Sequence, residues 1–190
     1  MTTGSTATTL VNRALQQIAA RATVTGTNPS FDGTAAGNAA GILYTPAVNM
    51  LLREQDYEFA RTSTALTVSA ATAQYPWAYS YVYPTDCMRI RSVVPAAWTA
   101  ADPQPVRWSE AEQSISGVLT RVILCNEPSA TLVYSTNNVT ETQFDAKFEE
   151  TLVRYLASAL VMALGGRPDF SKEMLGVAGQ MTQSGAGRDS

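Results

Sequence analysis

Residues 144–164 read FDAKFEETLVRYLASALVMAL, and no other stretch restricts the fold as much. Phe144, Phe148, Leu152, Tyr155, Leu156, Ala159, Leu160 and Ala163 recur at spacings of three and four, which places them on one face of a helix. Thr140 or Thr142 can serve as N-cap, and Asp145, Glu149 and Glu150 put negative charge near the positive end of the helix dipole. Gly165-Gly166 followed by Pro168 marks the stop. From Val153 to Leu164 only Arg154 and Ser158 interrupt an apolar and aromatic run, so the face is wider than one core stripe. Such a helix is buried on more than one side, as the centre of a monomeric core or against a neighbouring subunit as well. The run falls short of the roughly 20 residues a bilayer span requires, and Arg154 breaks it, so no membrane span is expected.

Composition narrows the function classes. The chain has 190 residues, enough for one domain or two small ones. Charged residues make up 15%, against roughly 25% in ordinary soluble domains. Before Arg53 the charged side chains are Arg13, Arg21 and Asp32 alone. A surface covered by Thr, Ser, Asn, Gln and Ala suits a subunit held in contacts better than a free monomer. The net charge is −3 and the lysines are Lys147 and Lys172 alone, so no basic stripe exists to neutralise phosphates; DNA can pass such a protein without being gripped. The chain has no histidine, which removes the commonest general base and metal ligand. Cys87 and Cys125 form no CxxC pair and fall in expected strands, so they read as two buried thiols of a reducing compartment, not zinc ligands. MTTGSTATT at the start lacks the basic-then-apolar pattern of a signal peptide, and the Asn138-Val139-Thr140 sequon is expected to be coincidental.

Taken in order, a first helix should run from a cap at Thr8 or Thr9 to about Ala20, with Leu10, Val11, Ala14, Leu15, Ile18 and Ala19 on its apolar face and Arg13, Gln16, Gln17 and Arg21 on the other. Residues 23–33 form a loop. A second helical stretch covers residues 34–56, with a break expected near Thr45 because Pro46 cannot bond to the Ile42 carbonyl. The period then changes. Tyr75, Trp77, Tyr79, Tyr81 and Tyr83 occupy alternate positions, predicting five rings on one face of an extended strand. Met88, Ile90 and Val94 mark a second strand, and Val118–Cys125 and Ala130–Thr136 mark two more; residues 110–114 suggest a short helix. A last helix is expected over residues 169–181. The fold class is therefore α+β: a helical bundle of N- and C-terminal helices (residues 1–66 with 140–190) and an inserted antiparallel sheet or small sandwich (residues 67–139).

No constellation carries catalysis. The alternating aromatics are far more readily a half-buried sheet face than a sugar-stacking platform. Asp86 beside Cys87 has no histidine or basic neighbour to lower the thiol pKa. Glu149 and Glu150 are helix neighbours facing different ways, so they form no acid/base pair, and Glu54, Asp56 and Glu58 suggest a solvated turn. Gly165-Gly166 lacks the Lys and Ser/Thr of a phosphate loop. No catalytic, cofactor or metal residue is assigned, and the chain is not expected to be an enzyme.

Four stretches in order nevertheless resemble one family. They are residues 10–19 (LVNRALQQIA), residues 51–61 (Leu51-Leu52-Arg53, then Asp56-Tyr57-Glu58-Phe59-Ala60-Arg61), residues 79–89 (YSYVYPTDCMR, an aromatic strand entering Pro-x-Asp-Cys), and Phe144-Asp145-Ala146-Lys147-Phe148 leading into an Ala/Leu-rich helix. Together they resemble the head-to-tail adaptor (tail tubular protein A-like) family of tailed bacteriophages. Where this chain has Tyr57, the family more commonly has Trp, and Pro46 departs from its pattern. The resemblance implies a structural virion protein made in the host bacterial cytoplasm. It would form a homo-oligomeric ring, usually of twelve, between the portal and the tail nozzle or next tail protein, with genome DNA passing through. The wide helix face suggests Arg154, Val161 and Leu164 as contacts toward a neighbouring subunit, and the modest apolar face of the last segment suggests Phe170, Met174, Leu175, Met181 and Arg188 as docking residues, for which the resemblance makes the portal the expected partner and a neighbouring adaptor subunit the next. Residues 182–190 offer little apolar surface to offset backbone entropy and are expected to take their order from that partner. The alternative from another class is a carbohydrate-binding or other tail-associated module using the aromatic strand 75–83; a carboxylate enzyme ranks third.

Overall fold

A computed structural model describes residues 5–96, 105–165, 176 and 180. The elements are α1 (Ala7–Gln17), α2 (Ala35–Glu54), β1 (Arg61–Ala65), β2 (Tyr79–Val82), β3 (Cys87–Pro95), β4 (Trp108–Ile115), β5 (Val118–Cys125), β6 (Ala130–Thr136) and α3 (Ala146–Ala163), with single 3₁₀ turns at Glu58–Ala60 and Glu141–Gln143. The fold is α+β, and the chain divides into two units: the helices, from residues up to Phe59 and from Val139 onward, and the sheets, Ala60–Asn138.

In the helical unit α3 packs against both α1 and α2, which meet each other only slightly. The width of its apolar surface explains this. Leu152, Val153, Leu156, Ala157, Leu160 and Val161 are all buried, and they span more than one face. The helix starts later than expected. Phe144 is extended, so Thr140 heads the separate 3₁₀ turn, and Asp145 caps α3 by accepting from the Phe148 N–H at 2.7 Å. Likewise α1 is capped by Thr6 and ends at Gln17, because Ala19 takes a left-handed φ of 54°.

Residues 35–54 form one continuous helix instead of two. Pro46 does remove one bond, but Ile42, Thr45 and Pro46 all lie on the exposed side, where water can satisfy the orphaned Ile42 carbonyl. The loop before α2 lies close along its first turns. A Cβ on Gly41 would stand 2.2 Å from the Pro29 carbonyl oxygen, so only glycine permits this approach. Asn28 donates to Thr45 Oγ1 at 3.2 Å one turn further on.

The second unit holds two three-stranded antiparallel sheets, ordered β1-β6-β3 and β2-β5-β4. They share one core: Tyr81, Ile123 and Cys125 from one sheet meet Cys87, Ile90, Val93, Leu132 and Tyr134 from the other, making a small sandwich. Two sequence expectations change here. Residues 61–65, expected with the helices, form β1 on the edge of β6. Residues 110–114, expected as a helix, lie within β4, which pairs with β5 across its whole length. The turn between them, Ser116 (φ 52°) and Gly117 (φ 83°), is a two-residue hairpin loop whose positive φ values match strand twist. In β3, Cys87, Ile90 and Val93 face inward at a spacing of three. Register shifts at Cys87/Arg89 and Ile90/Ser92 let these residues oppose Thr136, Tyr134 and Leu132, which keep a spacing of two.

Candidate functional site

The motif Pro84-Thr85-Asp86-Cys87 builds the turn that joins the two sheets. The Cys87 N–H donates to the Pro84 carbonyl at 3.1 Å, closing the turn, and the Asn137 N–H donates to the Asp86 carbonyl at 3.0 Å. The Asp86 carboxylate accepts from the Tyr134 hydroxyl, 3.1 Å from both oxygens, and from Thr136 Oγ1 at 2.8 Å. Asp86 therefore ties the start of β3 to the end of β6. Burial, aided by the bond to Asp86, pushes the Tyr134 hydroxyl up to about 12. Cys87 points the other way, with its thiol 3.5 Å from the Tyr83 hydroxyl, and burial raises the thiol pKa. Cys125 is buried and raised for the same cause. Neither thiol has the electropositive setting of a nucleophile. Above Tyr83, the Arg121 guanidinium lies 4.1 Å from the ring centroid and pairs with Glu110.

The aromatic stripe does not form as expected. Tyr79 and Tyr81 belong to β2, but the Trp77 N–H bonds to the Gln74 carbonyl, placing Tyr75 and Trp77 in a turn. Tyr81 is buried and donates to the Glu127 carbonyl at 2.5 Å; Trp77 is half-buried; Tyr75 is 98% exposed. The five rings do not share one platform. Between β1 and the β2–β3 turn lies an open cleft of about 390 Å3, lined by Thr64, Leu66, Thr67, Val82, Pro84 and Asp86 among others.

In the helical unit the first and last motifs meet. Asn12 clamps Val24, donating to its carbonyl at 2.9 Å and accepting from its N–H at 2.7 Å. Arg13 spans two carboxylates, Glu149 and Glu150, each at 3.1 Å, and Arg154 closes on Glu150 at 2.9 Å. Glu149 and Glu150, expected to diverge, both reach Arg13 because their side chains are long enough to converge on one guanidinium. The second motif supplies an aromatic cluster. Tyr57 and Phe59 meet Phe148 edge-on at 4.9 and 5.1 Å, and Phe144 stands 4.6 Å from Phe148. Burial, with the Asp145 and Glu54 charges, pushes the Tyr57 hydroxyl up to about 12.

The residues assigned to contacts are placed unequally. Val161 is 4% exposed and packs in its own core, so it is not available to a neighbouring subunit; Arg154 is engaged with Glu150; Leu164 and Met162 are exposed at the end of α3. Phe170, Met174, Leu175, Met181 and Arg188, with the expected helix 169–181 and tail 182–190, lie outside the described residues. Sequence reasoning missed the β4–β5 hairpin, whose Val118 and Leu119 are 64% and 72% exposed. Its signal was the Ser116-Gly117 pair between two extended runs. Among the described residues no group of three or more Cys, Asp or Glu could hold a metal, and no helix is long and apolar enough to cross a membrane. No protein-family model matches the chain, and no curated protein matches it.

Proposed function

We propose that this chain is a virion structural protein, a ring-forming head-to-tail connector that seats between the portal and the tail nozzle and lets genome DNA through. The observation that carries the reading is the set of four motifs in order, each with a structural task. Asn12-Arg13 clamps α1 to the loop and to α3. Tyr57 and Phe59 close α2 onto α3. Pro-x-Asp-Cys joins the two sheets. The Phe144–Phe148 segment starts the helix that packs on both others. Motifs occupied in this way suit a scaffold whose partners are other proteins. The charge-free run of α2 between Asp32 and Arg53, with Ile42 74% exposed, supports an exterior held in contacts. The proposal includes assembly in the host cytoplasm, residence in the neck of the particle, twelve copies, and no catalytic role.

The mass of the complex with isolated portal tests this. A stoichiometric complex with a closed ring of this chain is expected; failure to bind portal overturns the connector reading. The carbohydrate-binding alternative has exposed Tyr75 in its favour. It predicts that an oligosaccharide relieves iodide quenching of Trp77, which the connector reading does not.

A further inference from the structure

The second sheet buries more than its inner face. Ile123 and Cys125 of β5 belong to the sandwich core, so Val122 and Leu124 point to the opposite, outer face. They are nevertheless 0% and 3% exposed. The pairing puts Ser80 of β2 and Gln113 of β4 on the same outer face, because Ser80 lies opposite Leu124 and Gln113 opposite Thr120. β5 separates their strands, yet Ser80 Oγ donates to Gln113 Oε1 at 2.8 Å, so the sheet curls around this face.

Residues 69–78, in the link between β1 and β2, are fastened across it. The link leaves the outer edge of β2, where the Ser69 N–H donates to the Ser80 carbonyl at 2.8 Å. Further on, the Thr72 carbonyl accepts from Gln113 Nε2 at 3.0 Å. The chain returns to β2 at Ala78, whose N–H donates to Asn126 Oδ1 at 2.8 Å, just beyond the end of β5. Gln113 therefore holds the middle of the link, and Ser69 and Asn126 hold its ends. The cover is unlike what it covers. Ser-Ala-Ala-Thr-Ala-Gln at 69–74 offers little apolar surface, and no residue from Ala70 to Ala78 is buried. Segments with few buried apolar contacts open ahead of the whole fold. Gln113 is 5% exposed, and its amide exchanges the Thr72 carbonyl for water when the link lifts, so release costs little.

We propose that residues 70–78 form a strap latched by Gln113, which lifts about Ser69 and Ala78 and uncovers Val122 and Leu124 while the sandwich core stays folded. In its closed form the strap keeps an apolar face out of water. The device lies within the β unit and does not rest on the connector reading.

The test uses the full-length chain carrying Val122→Cys, treated with a thiol reagent under native conditions, with the labelled sites read by peptide mass. Cys125 lies on the opposite face of the same strand and serves as the internal reference. The introduced thiol is expected to react faster than Cys125. Adding Gln113→Met, which keeps the side-chain length but loses the donor, should raise that rate by about two- to tenfold, with a smaller change at Cys125. Equal rates at the two positions would show that the face opens only with the whole sandwich, and would overturn the strap. A rate indifferent to Gln113→Met overturns the latch. Limited proteolysis of chains without Val122→Cys keeps the test independent of that substitution. Gln113→Met should speed cleavage within residues 70–78 and not elsewhere in the sandwich; cleavage there no faster than in wild type overturns the proposal.

Discussion

Asp86 holds three contacts from two hydroxyls, so its removal strands both donors in a half-buried site. Asp86→Ala should lower stability by about 1–3 kcal/mol, read as a lower melting temperature, with no change in thiol reactivity if the turn is its whole role. Both thiols are buried and raised, so native protein should react with a disulfide reagent far more slowly than protein in denaturant. Fast native reaction of Cys87 would contradict its place in the core. Tyr57 gives a pH signature. Its folded value, about 12, stands above the ordinary 10.0, so its neutral form is favoured by folding. That stability is fully present below pH 10 and is lost as pH rises toward 12; Tyr57→Phe should flatten part of the fall in melting temperature across that window. Little of this was legible in the sequence. Arg13 sits on the polar side of its helix, and its partners lie 136 and 137 residues away, a separation that no local pattern reports. Asp86 next to Cys87 suggests chemistry only while Tyr134 and Thr136 are out of view.

The elements were more legible where burial follows one period. Val118–Cys125 and Ala130–Thr136 are apolar runs closed by turn residues, and the structure has them at those bounds. β4 was not legible: Glu-Ala-Glu-Gln favours a helix, and pairing with β5 overrides that preference. The spacing of three in β3 comes from two bulges, which the partner strand imposes. Pro46 misled because its cost depends on which side of the helix it faces. Two substitutions test this scale. Leu156→Ala, at a fully buried position of α3, should cost about 2–5 kcal/mol, and an unchanged melt would contradict α3 as the organising helix. Gly41→Ala gains about 1 kcal/mol of helix propensity but forces a Cβ against the Pro29 carbonyl, so a net loss of stability is expected. A more stable Gly41→Ala protein would show that the loop does not lie closely on α2.

For the whole molecule, a helical unit interrupted by a β sandwich is what both the change of period in the sequence and the family resemblance lead one to expect. Val161 is buried in the helical core, so on the ring-forming proposal subunit contacts would come from exposed features: the charge-free side of α2, the end of α3 at Met162 and Leu164, and the β4–β5 hairpin. The exposed Ile42, Val118 and Leu119 are surfaces that assembly would cover. The most direct measurement of the ring-forming reading is imaging of the purified protein, alone and bound to isolated portal, by electron microscopy. Closed rings with a central channel, of one subunit number and wide enough for duplex DNA, are the predicted result; particles that remain single 20.3 kDa subunits under both conditions would contradict it.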